Sequence, residues 1–243
     1  MSNAASVAHP SLSFLEFHTA DELHANLART IAQRLTAAVA RDGVASFVAP
    51  GGTTPGAMFD VLARSSASWK DIQITLSDDR WIETAANRSN ERLVRTHLLT
   101  ANAAAARLVP LKTAHDRASD AEQDLNAAVA AMHRPFDVVG LGMGSDGHIA
   151  SLIPGANGLS RALDRNDPTL VRAIDPPNLA AMGERMTLTL RAVLDAHWVF
   201  LLIRGDEKLQ AYKHALDGTD VLAAPVRAVL HQSSVPVSVF WSP

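Results

Sequence analysis

The chain has 243 residues, which suits one large α/β domain or two small ones, and no feature of the sequence demands a division. Its 22 Lys and Arg residues stand against 25 Asp and Glu residues, and a formal charge of −3 gives no basic field of the kind that binds nucleic acid or an anionic membrane surface. Because the sequence contains no cysteine, disulfides, thiolate nucleophiles and cysteine-ligated zinc are excluded.

The N-terminal segment shows no targeting signal. Residues 1–10 lack the basic region and the apolar core of a signal peptide, and no apolar run of the chain approaches the ~20 residues of a membrane span. Ser2-Asn3-Ala4 resembles the remnant of an expression tag. We therefore predict that residues 1–10 are disordered or tag-derived, that residues 11–243 form one domain, and that the protein is cytoplasmic with no membrane partner.

Short apolar runs alternate with helical patterns through the first half of the chain. Strands are predicted at residues 12–17, 45–49, 72–76 and, more weakly, 108–111. A helix with one apolar face is predicted from Asp21, as its N-cap, to Gly43. Two further helices are predicted at residues 87–99 and 119–132. This alternation is typical of a parallel sheet that helices cover on both faces.

The second half continues the pattern. Apolar runs predict strands at residues 138–141, 171–174 and 198–203, and the alternating residues 184–190 predict a half-buried strand. The polar segment 155–168 predicts a surface loop or lid. A short helix at 225–230 and an edge strand at 235–241 complete the chain. The predicted fold is α/β, a single domain with a mainly parallel, Rossmann-like open sheet.

The first loop with chemical potential follows the strand at 45–49. Gly51 and Gly52 free the backbone, Thr53 and Thr54 follow, Thr54 is a plausible N-cap, and Pro55 suits the first position of the next helix. Free N–H groups at such a helix start form a cradle for an anion. The loop lacks the lysine of a P-loop, and a plain strand-to-helix turn remains the alternative.

A charged cluster follows the strand at 72–76. Asp78 and Asp79 precede Arg80 and Trp81 at the predicted strand end. This cluster is either a solvated turn or an acid pair beside a guanidinium that clamps a phosphate.

The stretch 136–155 carries the strongest signal. A buried strand runs into a glycine-rich turn that contains Gly144, Asp146 and His148, at the place where open α/β sheets bind their ligands. An acid two residues before a histidine can orient its imidazole, although a tight turn with a capped histidine is the alternative. Pro154 and Gly155 interrupt the helix that a dinucleotide fingerprint would need, and Met143 breaks the nucleophile-elbow pattern.

Two further cations accompany the later strands. Arg185, in the strand at 184–190, points either toward the site or to the surface. Lys208 starts the helix after the strand at 198–203, where a cation is disfavoured unless it meets an anion. Because the net charge is negative, such local cations must attract any anionic ligand.

Four blocks of the sequence, in the same order, resemble the 6-phosphogluconolactonase family from residue 48 to about 230. The departures from the family pattern are Pro50, Thr53 in place of serine, Asp79 in place of glutamate, and Ser145 in place of glutamate. The matching blocks are residues 51–55; 78–81 with 87–90; 141–148 with 150–152 and 154–155; and 185–189 with 205–208.

The resemblance implies a fold shared with glucosamine-6-phosphate deaminase and ribose-5-phosphate isomerase. It also implies hydrolysis of 6-phospho-D-glucono-1,5-lactone to 6-phospho-D-gluconate in the oxidative branch of the pentose phosphate pathway, without metal or cofactor. His148 is the expected general base and Asp146 its orienting carboxylate. The expected substrate-binding residues are Gly51, Gly52, Thr53, Thr54, Asp78, Arg80, Gly144, Arg185 and Lys208.

Two other functions compete with this one. In the deaminases, a sequence similar to Ile-Ala-Phe-Asn-Glu-Pro follows the Asp-Gly-His element, whereas this chain has Ile-Ala-Ser-Leu-Ile-Pro at 149–154. The missing glutamate favours the lactonase. A regulator that senses a sugar phosphate without turnover would need a DNA-binding module, which the sequence does not contain. The expected partner is a small sugar-phosphate lactone, with a monomer or small homo-oligomer as the assembly.

Overall fold

The structure is a computed structural model that describes residues 12–243, so the prediction for residues 1–10 lies outside the described residues. Ten strands are β1 Leu12–Glu16, β2 Ala45–Ala49, β3 Ile72–Leu76, β4 Asp78–Arg80, β5 Arg107–Leu108, β6 Val138–Gly142, β7 Val171–Ile174, β8 Arg185–Leu188, β9 Val199–Arg204 and β10 Val237–Ser242. The α-helices are α1 Ala20–Asp42, α2 Gly56–Leu62, α3 Asn90–Leu93, α4 Glu122–Ala130, α5 Leu159–Leu163, α6 Leu179–Met182, α7 Leu190–Leu194, α8 Gly205–Asp217 and α9 Arg227–Leu230.

Seven parallel strands form the main sheet, in the order β1-β10-β9-β6-β2-β3-β5. Every residue of β2 is buried, and β6 and β9 are buried except at their last residue. Because successive side chains of a strand point to opposite faces, this burial means that both faces of the sheet are covered. The predicted α/β fold with a mainly parallel open sheet is confirmed.

The chain contains a second, antiparallel sheet that the sequence analysis did not predict. It has the order β4-β8-β7, with Asp79 opposite Met186 and Arg80 opposite Arg185. β8 was predicted to be half-buried, but all four of its residues are buried. β8 lies between the core and a cavity, and Arg185 on its polar side lines that cavity. The polar side is therefore buried as well as the apolar side. This small sheet therefore brings Arg80 and Arg185 together.

The prediction that residues 235–241 form an edge strand is wrong. β10 lies between β1 and β9, and Val237 pairs with both Leu12 and Val199. The edge position belongs to β1, whose side chains alternate between exposed and half-buried. The sequence of β10 could not reveal this order, because one of its two partners, β1, lies more than 200 residues earlier.

Several element ends also differ from the predictions. The N-cap of α1 is Thr19, whose Oγ1 accepts the Glu22 N–H at 3.2 Å, rather than Asp21. Thr54 does not cap α2, because Pro55 already has helical backbone angles and takes the N-cap position. The expected helix at 87–99 begins at Asn90 and continues as a π-helical turn, Val94–Leu98. Gly43 ends α1 as predicted, and it does so in the left-handed conformation.

The segment 155–168 is more ordered than the predicted surface loop or lid. It contains α5, and Leu159, Ala162 and Leu163 of this helix are buried in the core. An apolar face of three residues in a five-residue helix is too short for its periodicity to be recognised in the sequence. In the described part of the chain, no helix is both long and apolar enough to cross a membrane.

A buried histidine on α1 predicts acid sensitivity of the fold. His24 is 4% exposed, and within residues 12–243 neither ring nitrogen has a hydrogen-bond partner. Burial lowers the pKa of His24, and the positive charge of Arg204 lowers it further. The unfolded chain protonates this histidine near pH 6.5, so it binds more protons than the folded chain below that pH.

Stability should therefore fall as the pH drops below about 6.5, over the interval down to the lowered pKa of the folded state. We expect His24→Leu to flatten this dependence, which thermal unfolding between pH 7.5 and 5 would measure. If the slope survives in the variant, other groups cause the acid sensitivity.

Candidate active site

A cavity of about 220 Å³ opens at the carboxyl ends of the central parallel strands. Loops that follow β2 and β6 form its two sides, and the end of β9 with the start of α8 extends it. This is the edge at which open α/β sheets bind ligands. The residues that line it are Pro50, Gly51, Gly52, Thr53, Thr54, Pro55, Ser77, Asp78, Arg80, Asn90, Gly142, Met143, Gly144, His148, Ala150, Arg185, Leu202, Ile203, Arg204 and Lys208.

The structure brings nearly all of the predicted site residues together. Every one of them lines this cavity except Asp146, which lies behind the imidazole of His148. Arg185, whose direction the sequence left open, is turned inward and is 7% exposed. The sequence analysis did not select Arg204 or Asn90 as site residues. Lys208 was selected because it follows the end of a parallel strand, where open α/β sheets bind their ligands. The same strand-end rule would have selected Arg204, the last residue of β9.

A tight turn after β6 presents His148 to the cavity. Asp146 Oδ1 lies 2.6 Å from His148 Nδ1 and also accepts the backbone N–H of His148 at 3.1 Å. The hydrogen bond with His148 lowers the pKa of Asp146 to about 2, so its carboxylate is ionised at neutral pH. An ionised Asp146 can only accept, which places a proton on Nδ1. In the neutral imidazole, Nε2 is then left as a base.

The conformation of this turn depends on two glycines. A Cβ at Gly144 would overlap Nδ1 and Cε1 of His148, so the imidazole rests directly on bare backbone. Gly147 has a φ of 79°, and a Cβ there would lie 2.8 Å from the Cβ of Ala224. The turn therefore tolerates no side chain at either position, which explains two of the glycines in the central motif.

Positive charge dominates the wall of the cavity. Arg80, Arg185, Arg204 and Lys208 line it, against Asp78 as the one carboxylate among the lining residues of the described chain. Ser151 Oγ donates to Asp78 Oδ2 at 2.5 Å, so this carboxylate is engaged by the protein. The cavity is thus locally cationic although the chain carries a formal charge of −3, which suits an anionic ligand.

Arg185 is a buried cation that has no hydrogen-bond or ion-pair partner in the described part of the chain. Within residues 12–243 its guanidinium makes no hydrogen bond or ion pair that meets ordinary distance criteria, and its Nε is buried and unsatisfied. Burial lowers the pKa of Arg185, and the neighbouring charge of Arg80 lowers it further. Two arginines held close together, with no carboxylate paired to Arg185 among the described residues, form a place where an anion gains charge-assisted hydrogen bonds.

Asp79 does not form an acid pair that faces the ligand. It is 2% exposed and does not line the cavity. Its carboxylate accepts the backbone N–H groups of Arg80, Asn90 and Glu91, at 2.8, 2.7 and 3.0 Å. Burial raises the pKa of Asp79, and these backbone hydrogen bonds oppose that rise. Asp79 is thus an internal cap for α3.

One group in the described chain has the composition of a metal site, but it lies elsewhere. Ligand atoms of Asp42, His133 and Asp137 are within 4.8 Å of one another. Asp137 precedes β6, so the group is at the opposite edge of the sheet from the cavity. Arg41 Nη2 already pairs with both carboxylates, at 2.6 Å from Asp42 and 2.9 Å from Asp137.

Comparisons with known proteins find relatives along nearly the whole chain. The family profile described as glucosamine-6-phosphate isomerases/6-phosphogluconolactonase matches residues 18–241. The 6-phosphogluconolactonase of Rhizobium meliloti (strain 1021) is 38% identical over 228 residues, covering 93% of this chain and 97% of that protein. That of Mesorhizobium japonicum is 39% identical over 234 residues, covering 96% of each.

Solved structures show the same relationship. The crystal structure of a 6-phosphogluconolactonase from Shewanella baltica OS155 has a TM-score of 0.93 and 41% identity, covering 96% of this chain and 98% of that chain. A monomeric glucosamine-6-phosphate deaminase has a TM-score of 0.76 at 18% identity, covering 93% of this chain and 96% of that chain. The second match shows a common fold alone.

Proposed function

The chain belongs to the family of glucosamine-6-phosphate isomerases and 6-phosphogluconolactonases, and we propose that it hydrolyses 6-phospho-D-glucono-1,5-lactone to 6-phospho-D-gluconate. The observation that carries this proposal is the pairing of His148 with Asp146 at 2.6 Å, beside a cavity that four cations line. Relatives named 6-phosphogluconolactonase that align over more than nine-tenths of the chain support it.

The chemistry requires one base that later acts as an acid. Nε2 of His148 takes a proton from water, and the resulting hydroxide adds to the lactone carbonyl carbon. Collapse of the tetrahedral intermediate breaks the bond to the ring oxygen, which receives the proton from Nε2 and becomes a hydroxyl group. Asp146 holds the ring and stabilises the imidazolium that forms between the two steps. Water and lactone thus yield the acid, with no other reactant.

The phosphate of the substrate lies on the loop at 51–54. Arg80, Arg185 and Lys208 line the same cavity as this loop and supply the charge that a phosphate dianion needs. Arg185 is the strongest candidate of the three for a phosphate contact, because it is buried and unpaired in the described chain. Substrate phosphate would supply the missing partner of this guanidinium.

The decisive experiment is a direct lactonase assay on freshly generated 6-phosphoglucono-δ-lactone. Glucosamine 6-phosphate is tested in parallel, because deaminases share the fold. We expect hydrolysis of the lactone and no release of ammonia from the amino sugar. Turnover of glucosamine 6-phosphate without lactone hydrolysis would refute the proposal, and binding of both without turnover would favour the sensor.

Arg80 and Lys208 should hold the phosphate, which is remote from the reacting carbonyl. Replacing either residue with alanine should raise KM by about 10-fold or more, and this rise should exceed the fall in kcat. The measurement is the ratio of kcat/KM for the phosphorylated lactone to that for glucono-δ-lactone. An unchanged ratio in both variants would make these residues bystanders of phosphate binding.

Activity should survive exhaustive chelation. The residues proposed for the chemistry are a histidine and a single aspartate, and the Asp42, His133 and Asp137 group lies at the far edge of the sheet. We expect kcat to be the same before and after dialysis against EDTA. A loss that zinc or magnesium restores would contradict this.

The domain organisation, the cellular location and the assembly of the protein are part of the same proposal. Residues 11–243 act as one catalytic domain, and a chain without cysteine suits the cytoplasm, where disulfides are rarely maintained. Its assembly is a monomer or a small homo-oligomer. Sedimentation of the purified protein would measure its oligomeric state, and a large oligomer would contradict this proposal.

A further inference from the structure

Asn90 makes four hydrogen bonds at the wall of the cavity. Its Nδ2 donates to the backbone oxygen of Asp78 at 2.8 Å and to Asp78 Oδ1 at 3.2 Å. Its Oδ1 accepts the backbone N–H of Gly52 at 3.3 Å and Arg80 Nη1 at 3.2 Å. A primary amide has two N–H donors and two acceptor lone pairs, so this side chain is fully used by the protein.

The position of Asn90 is itself fixed from behind. The residue is 3% exposed, and its backbone N–H donates to Asp79 Oδ1 at 2.7 Å. A Cβ at Gly51 would overlap the amide of Asn90, so the loop at 51–54 rests directly against this side chain. The Asn90 amide and the loop at 51–54 are therefore in direct contact.

The contacts of Asn90 join three parts of the site that are distant in sequence. Gly52 belongs to the loop after β2, Arg80 to β4, and Asp78 is bound through Ser151 to the segment that follows His148. We propose that Asn90 is a positioning residue, which sets the Arg80 guanidinium and the Gly51–Gly52 backbone in the geometry that binds the substrate phosphate. It touches no reacting atom and acts through its neighbours.

This inference rests on the proposed function, because it assumes that Arg80 and the loop bind phosphate. Arg80 Nη1 has a second acceptor, the backbone oxygen of Arg88 at 2.5 Å. Without the Asn90 amide, the guanidinium would be held from one side alone, and the Gly52 N–H would lose its partner. Both changes weaken phosphate binding and leave His148 with its own partner, Asp146.

The test compares Asn90→Ala with a matched asparagine. Asn126 also makes four hydrogen bonds, two donated to backbone oxygens and two accepted from backbone N–H groups, but it joins α4 to β7 outside the cavity. We expect both alanine variants to lower the melting temperature. Only Asn90→Ala should reduce the preference for phosphorylated over plain glucono-δ-lactone, by roughly tenfold, and weaken 6-phosphogluconate binding in calorimetry to a similar degree.

A double variant separates positioning from general damage. If Asn90 acts through Arg80, Asn90→Ala should lower the phosphate preference less in an Arg80→Ala background than in the wild type. Should Asn90→Ala fail to fold, Asn90→Asp keeps the size and places a negative charge beside Arg80, which should also weaken 6-phosphogluconate binding. A wild-type phosphate preference in the Asn90 variants would overturn the inference. A wild-type protein that shows no such preference would instead overturn the proposed phosphate site.

Discussion

Replacement of His148 with alanine should lower kcat by about 10²–10⁴-fold and leave KM nearly unchanged. The variant loses the group that moves the proton, while the loop at 51–54 and the cations keep their places. Lactone hydrolysis is followed in stopped time courses, with the uncatalysed hydrolysis of the lactone subtracted. His231 is exposed and outside the cavity, so His231→Ala serves as the control and should retain wild-type kcat.

The partner of His148 provides a second comparison. Asp146→Asn can donate to Nδ1 and so favours the tautomer that carries its proton on Nε2, which is no longer a base. We expect its kcat to fall as well, while the melting temperature changes little because Asp146 lies in an exposed turn. If His148→Ala keeps wild-type kcat, the base is a different group and Asp146 orients nothing of consequence.

Replacement of Arg185 with methionine should stabilise the fold and impair phosphate binding. The free protein buries a guanidinium without a partner among the described residues, and Arg80 adds repulsion. An apolar side chain of similar length removes that cost, so the free energy of unfolding should rise by about 0.5–2 kcal/mol. The same change should raise KM for the phosphorylated lactone by about 10–100-fold, since charge-assisted hydrogen bonds to the phosphate are lost.

Thermal unfolding with and without 6-phosphogluconate measures both effects in one experiment. The variant should melt at a higher temperature than the wild type without ligand, and should gain less from added ligand. Arg191→Met is the matched control, because Arg191 is exposed and outside the cavity. A lower melting temperature with unchanged ligand stabilisation would make Arg185 a structural residue.

The sequence predicted those parts of the fold that local patterns encode. Apolar runs identified six of the seven strands of the main sheet, because a buried parallel strand is a short apolar segment bounded by turns. The run at 108–111 shares only Leu108 with β5. The antiparallel sheet was not predicted, since β4 has three residues, Asp78–Arg80, and pairs with a strand about 100 residues away. The edge position of β1 was missed for the same reason.

The same limit applies to the site. The strand-end rule identified His148, the loop at 51–54 and Lys208, because each follows a strand along the chain. The inward direction of Arg185 depends on the register of β8 against β4, which local sequence does not specify. The four hydrogen bonds of Asn90 likewise depend on tertiary structure, so the sequence marked the residue only as part of a matching block.

The edge position of β1 has a consequence for synthesis on the ribosome. Ser13 of β1 donates a hydrogen bond to Ser238 of β10, 225 residues later, and among the described strands β1 pairs with β10 alone. At about 5–20 residues per second, β1 waits on the order of 10–45 s after its own synthesis for its partner. During that time the rest of the sheet can assemble behind it. β10 thus adds β1 to the sheet only after the intervening strands have been synthesised.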